Sequence, residues 1–253
     1  KIEEKGKPVE EILQEAMPKV VLSLKGSHFM RWGDLSDKFQ RPIRWIVSVI
    51  DDKPLPIAIA DVASTAHSQG HRFLSQGPVE IKSIKSYVED LKKGYVLVDP
   101  KTRKEKILDE VQKAAQKANG MVKPNENLLS FVNNIVEWPS AEVGNFDSRY
   151  LEIPEEVITT VMIAHQKYFP VFEKEGKKLK NNFICINNRE KDPNNIVIKG
   201  HQRVLKARLD DGAFYFKEDT KKSLQDRVED LKGMTFQKGL GTMYKKTQRI
   251  QSL

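Results

Sequence analysis

The residues of this sequence that could do chemistry recur as a cation or an imidazole beside an aromatic ring. They are Met30-Arg31-Trp32-Gly33, the run from Phe39 through Arg41 and Arg44 to Trp45, Gly70-His71-Arg72-Phe73, and His165-Gln166-Lys167-Tyr168-Phe169, with Gly200-His201-Gln202-Arg203 as a related basic stretch. An arginine fork matches phosphate oxygens and an aromatic face stacks on an unpaired base, so the mixture suits single-stranded RNA or the end of an RNA helix. Each stretch alone has a plainer account. Trp32 and Trp45 could fill a core with Arg41 and Arg44 closing ion pairs over it, and His165-Gln166-Lys167 could be a polar helix end. Repetition keeps the RNA reading open beside these.

Other chemistries lack their residues. Neither G-x-x-x-x-G-K-[ST] nor G-x-G-x-x-G occurs, and Gly239-Leu240-Gly241 has no third glycine and no strand before it. Of the histidines, His28, His67, His71, His165 and His201, only His67 and His71 share the i, i+4 spacing that would put two imidazoles on one helical face, and Gly70 between them reads as loop. There is no H-E-x-x-H pair and no serine in a G-x-S-x-G elbow. The single cysteine, Cys185 in NFICIN, excludes an internal disulfide framework and reads as a buried thiol in a reducing compartment. No catalytic residue and no metal site are assigned.

The chain has 253 residues, enough for one large domain or two smaller ones, with 39% apolar and 31% charged residues. Lys and Arg number 43 against 35 Asp and Glu, a formal charge of +8 that fits a polyanionic partner. The charge is interspersed, with short clusters at 101–106 and 174–180 rather than a basic arm. No apolar run approaches the ~20 residues that span a bilayer and no signal-peptide pattern opens the chain, so a soluble protein without a membrane partner is expected, and the lone cysteine makes the cytoplasm its natural setting. The chain starts at Lys1 and stops at Leu253 inside a helical pattern, which reads as a fragment of something longer.

Periodicity supplies the elements that must position these residues. EEILQEAMPKVVLSL reads as helix, with Ile12, Leu13 and Ala16 on one side and Pro18 kinking or dividing it. RWIVSVI and LPIAIADV read as two strands joined by a turn at Asp51-Asp52-Lys53-Pro54, followed by a short strand VEIK. Ile84, Tyr87, Val88 and Leu91 mark a helix stopped by Gly94, and YVLVD another strand. Thr102 and Glu105 have capping-box spacing before a helix that ends at Asn119-Gly120. Pro154 is placed to open the helix EEVITTVMIA, whose pattern stops at Ala164; KYFPVF and FICIN then read as a hairpin. Leu205, Leu209, Gly212 and Phe216 form a helical stripe, and 219–253 reads as helix interrupted at Gly233 and Gly239-Leu240-Gly241. The alternation is irregular, which predicts an α+β fold of mixed or antiparallel sheets with flanking helices.

The stretches MRWGDLSDKFQRPIRWIV, GHRFL, NNIVEWP, GNFDSRYLEIPEEV, HQKYFPVF, RVLKARLDDGAFYFKED and LGTMYKKTQRI, in order from residue 30 to residue 250, resemble the β subunit of the bacterial two-subunit glycyl-tRNA synthetase. The resemblance implies the N-terminal part of that subunit: a region over 1–218 similar to the B3/B4 domain of the phenylalanyl-tRNA synthetase β subunit, with or without a smaller subdomain near 65–139, then the start of a helical, HD-type region over 219–253. It implies an α-subunit partner, in a heterotetramer, that carries the glycine- and ATP-using site with its magnesium. No cofactor is then expected in this chain, which would bind and position tRNA(Gly) without doing the ligase chemistry itself. Two stretches depart from the pattern the resemblance implies: Gly200-His201-Gln202-Arg203-Val204 stands for Gly-Asn-Glu-Arg-Val, and Asp211-Gly212 for Asp-Ala.

Combined with the basic and aromatic stretches, this gives Arg31, Arg41, Arg44, His71, Arg72, His165, Gln166, Lys167, Arg203 and Arg208 as candidate RNA contacts. His165, Gln166 and Lys167 are expected at an exposed junction of helix and strand. Two other functions stay open at this point: an editing-like hydrolase, since the phenylalanyl relative removes wrongly attached amino acids with its B3/B4 domain, and a scaffold that holds the α subunit.

Overall fold

A computed structural model describes residues 6–190 and 192–253. The first five residues of the region expected over 1–218 lie outside the described residues. The chain divides into two compact units, one of Lys1–Lys113, Asn125–Glu142 and Ile186–Lys191, the other of Ala114–Pro124, Val143–Cys185 and Asp192–Leu253. The boundary expected at 218 and 219 does not coincide with this division. Residues 219–253 fall inside the second unit, and 114–124 separate from the rest of 65–139.

The first unit opens with α1 (Val9–Ser23), one helix that carries Pro18 in its interior and is not divided by it. None of its residues is fully buried, although Leu13 and Ala16 are half-covered as their spacing predicts. The two strands expected next are broken into β1 (Ile46–Val47), β2 (Val49–Ile50), β3 (Lys53–Pro54), β4 (Ala58–Ile59) and β5 (Val62–Thr65). The turn is where the sequence puts it: β2 and β3 pair antiparallel across Asp51 and Asp52, with Asp51 at φ 50°. β4 pairs antiparallel with β5, and β1 runs parallel to β5 through Ile46↔Ser64. Pro54 and Pro56 remove two ladder donors, and the Ser64 hydroxyl takes over locally, accepting from Ile57 N–H at 2.9 Å and donating to Leu55 O at 3.0 Å.

β6 (His67–Gln69) and β7 (Pro78–Glu80) follow as an antiparallel pair. α2 (Tyr87–Lys93) ends at Gly94 as expected, but of its stripe only Leu91 is buried. Asp90, also buried, accepts from Lys82 N–H and from Lys93 Nζ. The Ser86 hydroxyl is the main reason its carboxyl is held below the usual range.

YVLVD is not a strand. Leu97 N–H donates to Glu137 O at 3.0 Å, and the Arg103 guanidinium, which also donates to Asn133 O, takes the carbonyls of Leu97 and Val98 that a neighbouring strand would have used. α3 (Pro100–Lys117) is capped one turn earlier than Thr102 and Glu105 suggest. Asp99 accepts from Lys101 N–H, Thr102 N–H and the Thr102 hydroxyl, and Pro100 occupies the first helical position, where its missing donor costs nothing. α4 (Glu126–Asn133) is capped by Asn125 and buries Leu128, Leu129 and Val132.

β8 (Pro139–Asn145), a strand the sequence pattern did not announce, leads into the second unit, to a 3₁₀ turn at Ser148–Glu152 and to α5 (Glu155–Thr160). A π-helical turn, Val161–Gln166, follows, then β9 (Phe169–Phe172) and β10 (Leu179–Asn188), the expected hairpin, paired through Leu179↔Phe172 and Ile184↔Phe169. The sheet order is β8-β10-β9. α6 (Ile196–Asp219) turns Ile198, Leu205 and Leu209 into a core shared with Phe146, Tyr150, Ile158, Met162, Phe183 and Cys185. The chain closes with α7 (Leu224–Arg227), β11 (Thr235–Gln237), β12 (Gly241–Thr242) and α8 (Met243–Gln251), so the segment expected to be helical contains a two-stranded hairpin. Gly239 at φ 87° and Gly241 at φ 80° allow that turn, where the sequence showed only interruptions. The fold is α+β.

Gly212 lies in the interior of α6, and a Cβ there would meet Val157 Cγ1 at 3.4 Å, an ordinary contact. Gly212→Ala is therefore expected to stabilise the chain by about 0.5–1 kcal/mol, read as a higher urea midpoint with unchanged slope. A lower midpoint would mean that α5 cannot accept the added methyl.

Candidate nucleic-acid interface

The ten candidate residues divide between the units. Arg31, Arg41, Arg44, His71 and Arg72 lie in the first, and His165, Gln166, Lys167, Arg203 and Arg208 in the second. Within the first unit, Met30 and Phe39 exchange backbone hydrogen bonds at 2.9 and 3.1 Å, and the Phe29 and Phe39 rings meet at 5.5 Å. This bridge closes a loop with Arg31 just inside one end and Arg41 just outside the other. Arg31, Arg41 and Arg44 are exposed. The reading in which they brace a tryptophan core finds no support in the geometry. Trp45 is 49% exposed and Trp32 half-covered, and Arg41 donates only to the carbonyl of its neighbour Gln40, at 3.1 Å.

His71 corrects the expectation attached to it. The side chain is 1% exposed, its Nε2–H donates to Asn188 O at 2.9 Å and its Nδ1 accepts from Phe73 N–H at 3.3 Å. With both ring nitrogens used inside the fold, His71 offers a ligand nothing. Arg72, next to it, is exposed, with its guanidinium carbon 5.9 Å from the centre of the Phe73 ring. His67, expected in a loop, stands on β6.

In the second unit the helix does end at the polar patch. Six residues of π-helical winding terminate at Lys167, which takes the left-handed conformation (φ 59°, ψ 33°) before the strand begins at Phe169. Such winding is rare and frequent at functional sites. His165 is exposed, and Gln166 and Lys167 are half-covered. The Lys167 ammonium folds back to donate to Ala164 O at 2.7 Å, a cation on the negative end of the helix, so part of its charge serves the fold.

The next residue fixes the turn. Tyr168 is buried, stacks on Phe183 at 4.7 Å and donates its hydroxyl proton to His201 Nδ1 at 2.8 Å, which ties the patch to the first turns of α6. Burial raises the Tyr168 pKa, with the Cys185 thiol a smaller cause, so the phenol stays a donor. Burial lowers the His201 pKa below 6.5, so the ring stays a neutral acceptor. Gln202 Nε2 donates to the backbone carbonyl and side-chain oxygen of Asn145. His201 and Gln202 thus make contacts of their own, and Arg203 and Arg208 stand exposed on the same helix.

The sign of the His201 effect gives a test. Its folded pKa lies below the unfolded one, so unfolding takes up a proton. The stability this residue contributes is complete above pH 6.5 and declines as pH falls through the folded value. His201→Asn is expected to flatten the fall in thermal midpoint between pH 7 and pH 5. Parallel curves for the two proteins would refute it.

One buried-edge network escaped sequence reasoning. Arg149 Nη2 donates to the Tyr150 hydroxyl at 2.8 Å and to Asp210 Oδ1 at 3.0 Å, and the Tyr150 hydroxyl donates to the same carboxylate. The Tyr150 bond is the main reason the Asp210 carboxyl is held below its ordinary range. It joins two of the stretches that carry the resemblance, 144–157 and 203–219, but no pattern in one sequence links positions so far apart.

Among the described residues no group of three His, Cys, Asp or Glu is placed to hold a metal ion, and no helix is long and apolar enough to cross a membrane. Each unit presents exposed arginines: Arg31, Arg41, Arg44 and Arg72 in the first, Arg203 and Arg208 in the second. Comparison with known proteins places the chain with a subunit of an aminoacyl-tRNA synthetase. The family model described as Glycyl-tRNA synthetase beta subunit matches residues 1–253. The chain is 44% identical to the glycine–tRNA ligase beta subunit of Trichodesmium erythraeum, an alignment covering 98% of this chain and 36% of that protein. Against its counterpart in Acaryochloris marina the identity is 43%, over 98% and 35%; against that of Geobacter sulfurreducens it is 40%, over 99% and 36%. The chain belongs to the glycyl-tRNA synthetase β-subunit family, and spans about a third of the length of these relatives.

Proposed function

We propose that this chain binds and positions tRNA(Gly) for glycyl-tRNA synthesis in the cytoplasm, while glycine activation, with ATP and magnesium, belongs to an α subunit with which it assembles. One observation carries the reading. Arg31, Arg41, Arg44, Arg72, Arg203 and Arg208 are all exposed, and none pairs with a carboxylate; the arginines that do among the described residues are Arg149 and Arg227. An exposed guanidinium without a carboxylate partner keeps its charge, and the donors that face solvent, free for phosphate. The chain's +8 charge supplies the attraction that brings a polyanion to it.

Titration of the chain with tRNA(Gly) and with an unrelated tRNA at two salt concentrations tests the binding role. Tighter binding of tRNA(Gly) and a steep fall with salt are expected; absence of binding at low salt would end the proposal. Glycine-dependent exchange of pyrophosphate into ATP tests the division of labour. The chain alone is expected to match a denatured control, with exchange appearing when the α subunit is added. Exchange by the chain alone would move the chemistry into this subunit.

A further inference from the structure

The eight-residue loop between β6 and β7, residues 70–77, is fixed at its base and bare at its tip. β6 and β7 close it through Gln69↔Pro78. Inside it, His71 N–H donates to Gly94 O at 2.7 Å, the buried His71 ring donates to Asn188 O at 2.9 Å, and Ser75 N–H returns to His71 O at 3.0 Å. The Ser75 hydroxyl donates to Gly77 O at 2.9 Å. The packing is tight enough that a Cβ on Gly70 would fall 2.3 Å from Ser75 Oγ and 2.9 Å from Gly94 O. Every one of these contacts holds the loop in one shape, and none involves the Phe73 side chain.

That side chain is 82% exposed, with the Arg72 guanidinium beside its ring at 5.9 Å. The hydrogen bond that Phe73 gives to His71 comes from its backbone N–H and is independent of the ring. A phenylalanine this exposed does nothing for the core, and a rigid loop that presents it has already met the ordering cost of using it in binding.

We propose that Arg72 and Phe73 form a platform for one unpaired nucleotide of a bound RNA, its base stacked on the Phe73 ring and its phosphate on the Arg72 fork. The inference rests on the tRNA-binding reading above and adds to it an element of recognition: an unstacked base, not only the duplex backbone. A nucleotide meets both groups, offering a π face and an anionic oxygen together. A protein pocket would take the ring but would strip water from the Arg72 charge, which makes no ion pair among the described residues.

The experiment uses the chain with Phe73→Ala, Phe73→Leu, Phe73→Trp and Arg72→Ala, titrated at one salt concentration with tRNA(Gly) and with a blunt-ended RNA duplex. Phe73→Ala and Phe73→Leu are expected to weaken tRNA binding about tenfold, within the range for one base–aromatic stack, and Phe73→Trp to retain it. The duplex should bind all three Phe73 variants like the parent, and thermal midpoints should move little, since the exposed ring meets the fold beside His71, with 6.3 Å between ring centres. Arg72→Ala should weaken both RNAs. Parental affinity of Phe73→Ala for tRNA, or of Phe73→Leu, overturns the stacking platform while leaving tRNA binding in place. Equal losses on tRNA and duplex for Phe73→Ala overturn it too. A parent chain that binds no tRNA overturns the functional reading itself, a separate and recognisable result.

Discussion

Gly144→Ala is expected to destabilise the protein by about 3 kcal/mol or more, although it adds one methyl group. A Cβ at Gly144 would lie 2.3 Å from Phe183 Cζ and 2.5 Å from its Cε1. In many sites a ring would swing away. Here Phe183 is fully buried on β10 and the Tyr168 ring lies stacked against it at 4.7 Å and 21°. Moving Phe183 therefore means moving Tyr168, and with it the hydroxyl that holds His201 and the turn at His165-Gln166-Lys167. A thermal midpoint lower by on the order of 10 °C is the readout. The reason can be separated from a general weakness of β8 with a double-mutant cycle. Phe183→Ala should itself cost about 3–5 kcal/mol. If the clash is the cause, Gly144→Ala in that background adds much less than it does alone, because the alanine leaves room for the methyl. Additive costs, or a Gly144→Ala midpoint close to the parent's, would show that the ring is free to move.

That coupling explains which parts of the molecule its sequence discloses. Where one short stretch settles the outcome, the reading holds. The turn at Asp51 and Asp52, the stop at Gly94, the KYFPVF and FICIN hairpin and the stripe of Leu205 and Leu209 depend on local periodicity and on turn residues, and all are found. Where a distant group decides, the reading fails for a nameable reason. YVLVD has the alternation of a strand, but Arg103 takes the carbonyls that pairing would need. Thr102 and Glu105 have capping-box spacing, but Asp99 reaches the free N–H groups first. PSAEVGN shows little apolar alternation, yet it is strand β8, because Gly144 lets it lie against the Phe183 ring.

The candidate interface divides along the same line. A one-dimensional pattern recognises a cation beside a ring without telling which of the two faces water. At GHRF it chose His71 and Arg72 together, and the fold buries the first while exposing the second along with Phe73. The sign was in the sequence only in part. Gly70 admits the close approach to Gly94 that draws His71 inward, but Asn188, the acceptor for its ring, lies 117 residues away. At HQKY the junction of helix and strand could be read from the change of period at Ala164. The π-helical winding and the Tyr168–His201 bond depend on packing against α6 and could not.

Replacing Arg31, Arg41 and Arg44 together with Ala is expected to weaken tRNA binding roughly a hundredfold at low salt, at about 1 kcal/mol for each charged hydrogen bond to phosphate. The three side chains are exposed and make no ion pair among the described residues, so the same change should move the unfolding midpoint little, as surface substitutions do. The salt dependence carries the sharper information. Each phosphate that is no longer neutralised takes roughly one counterion from the slope of log affinity against log salt, so the triple variant should be shallower by about two to three. Losses should be similar for tRNA(Gly) and for an unrelated tRNA, since a phosphate contact carries no base identity. The competing account, in which these arginines brace Trp32 and Trp45, predicts the reverse order: a lower thermal midpoint first, and weaker binding only as a consequence of unfolding. Trp45 at 49% exposure argues against that account before the experiment is done. A variant that unfolds several degrees earlier yet binds folded tRNA with the parent's salt slope would establish it and would move the RNA contacts elsewhere on the chain.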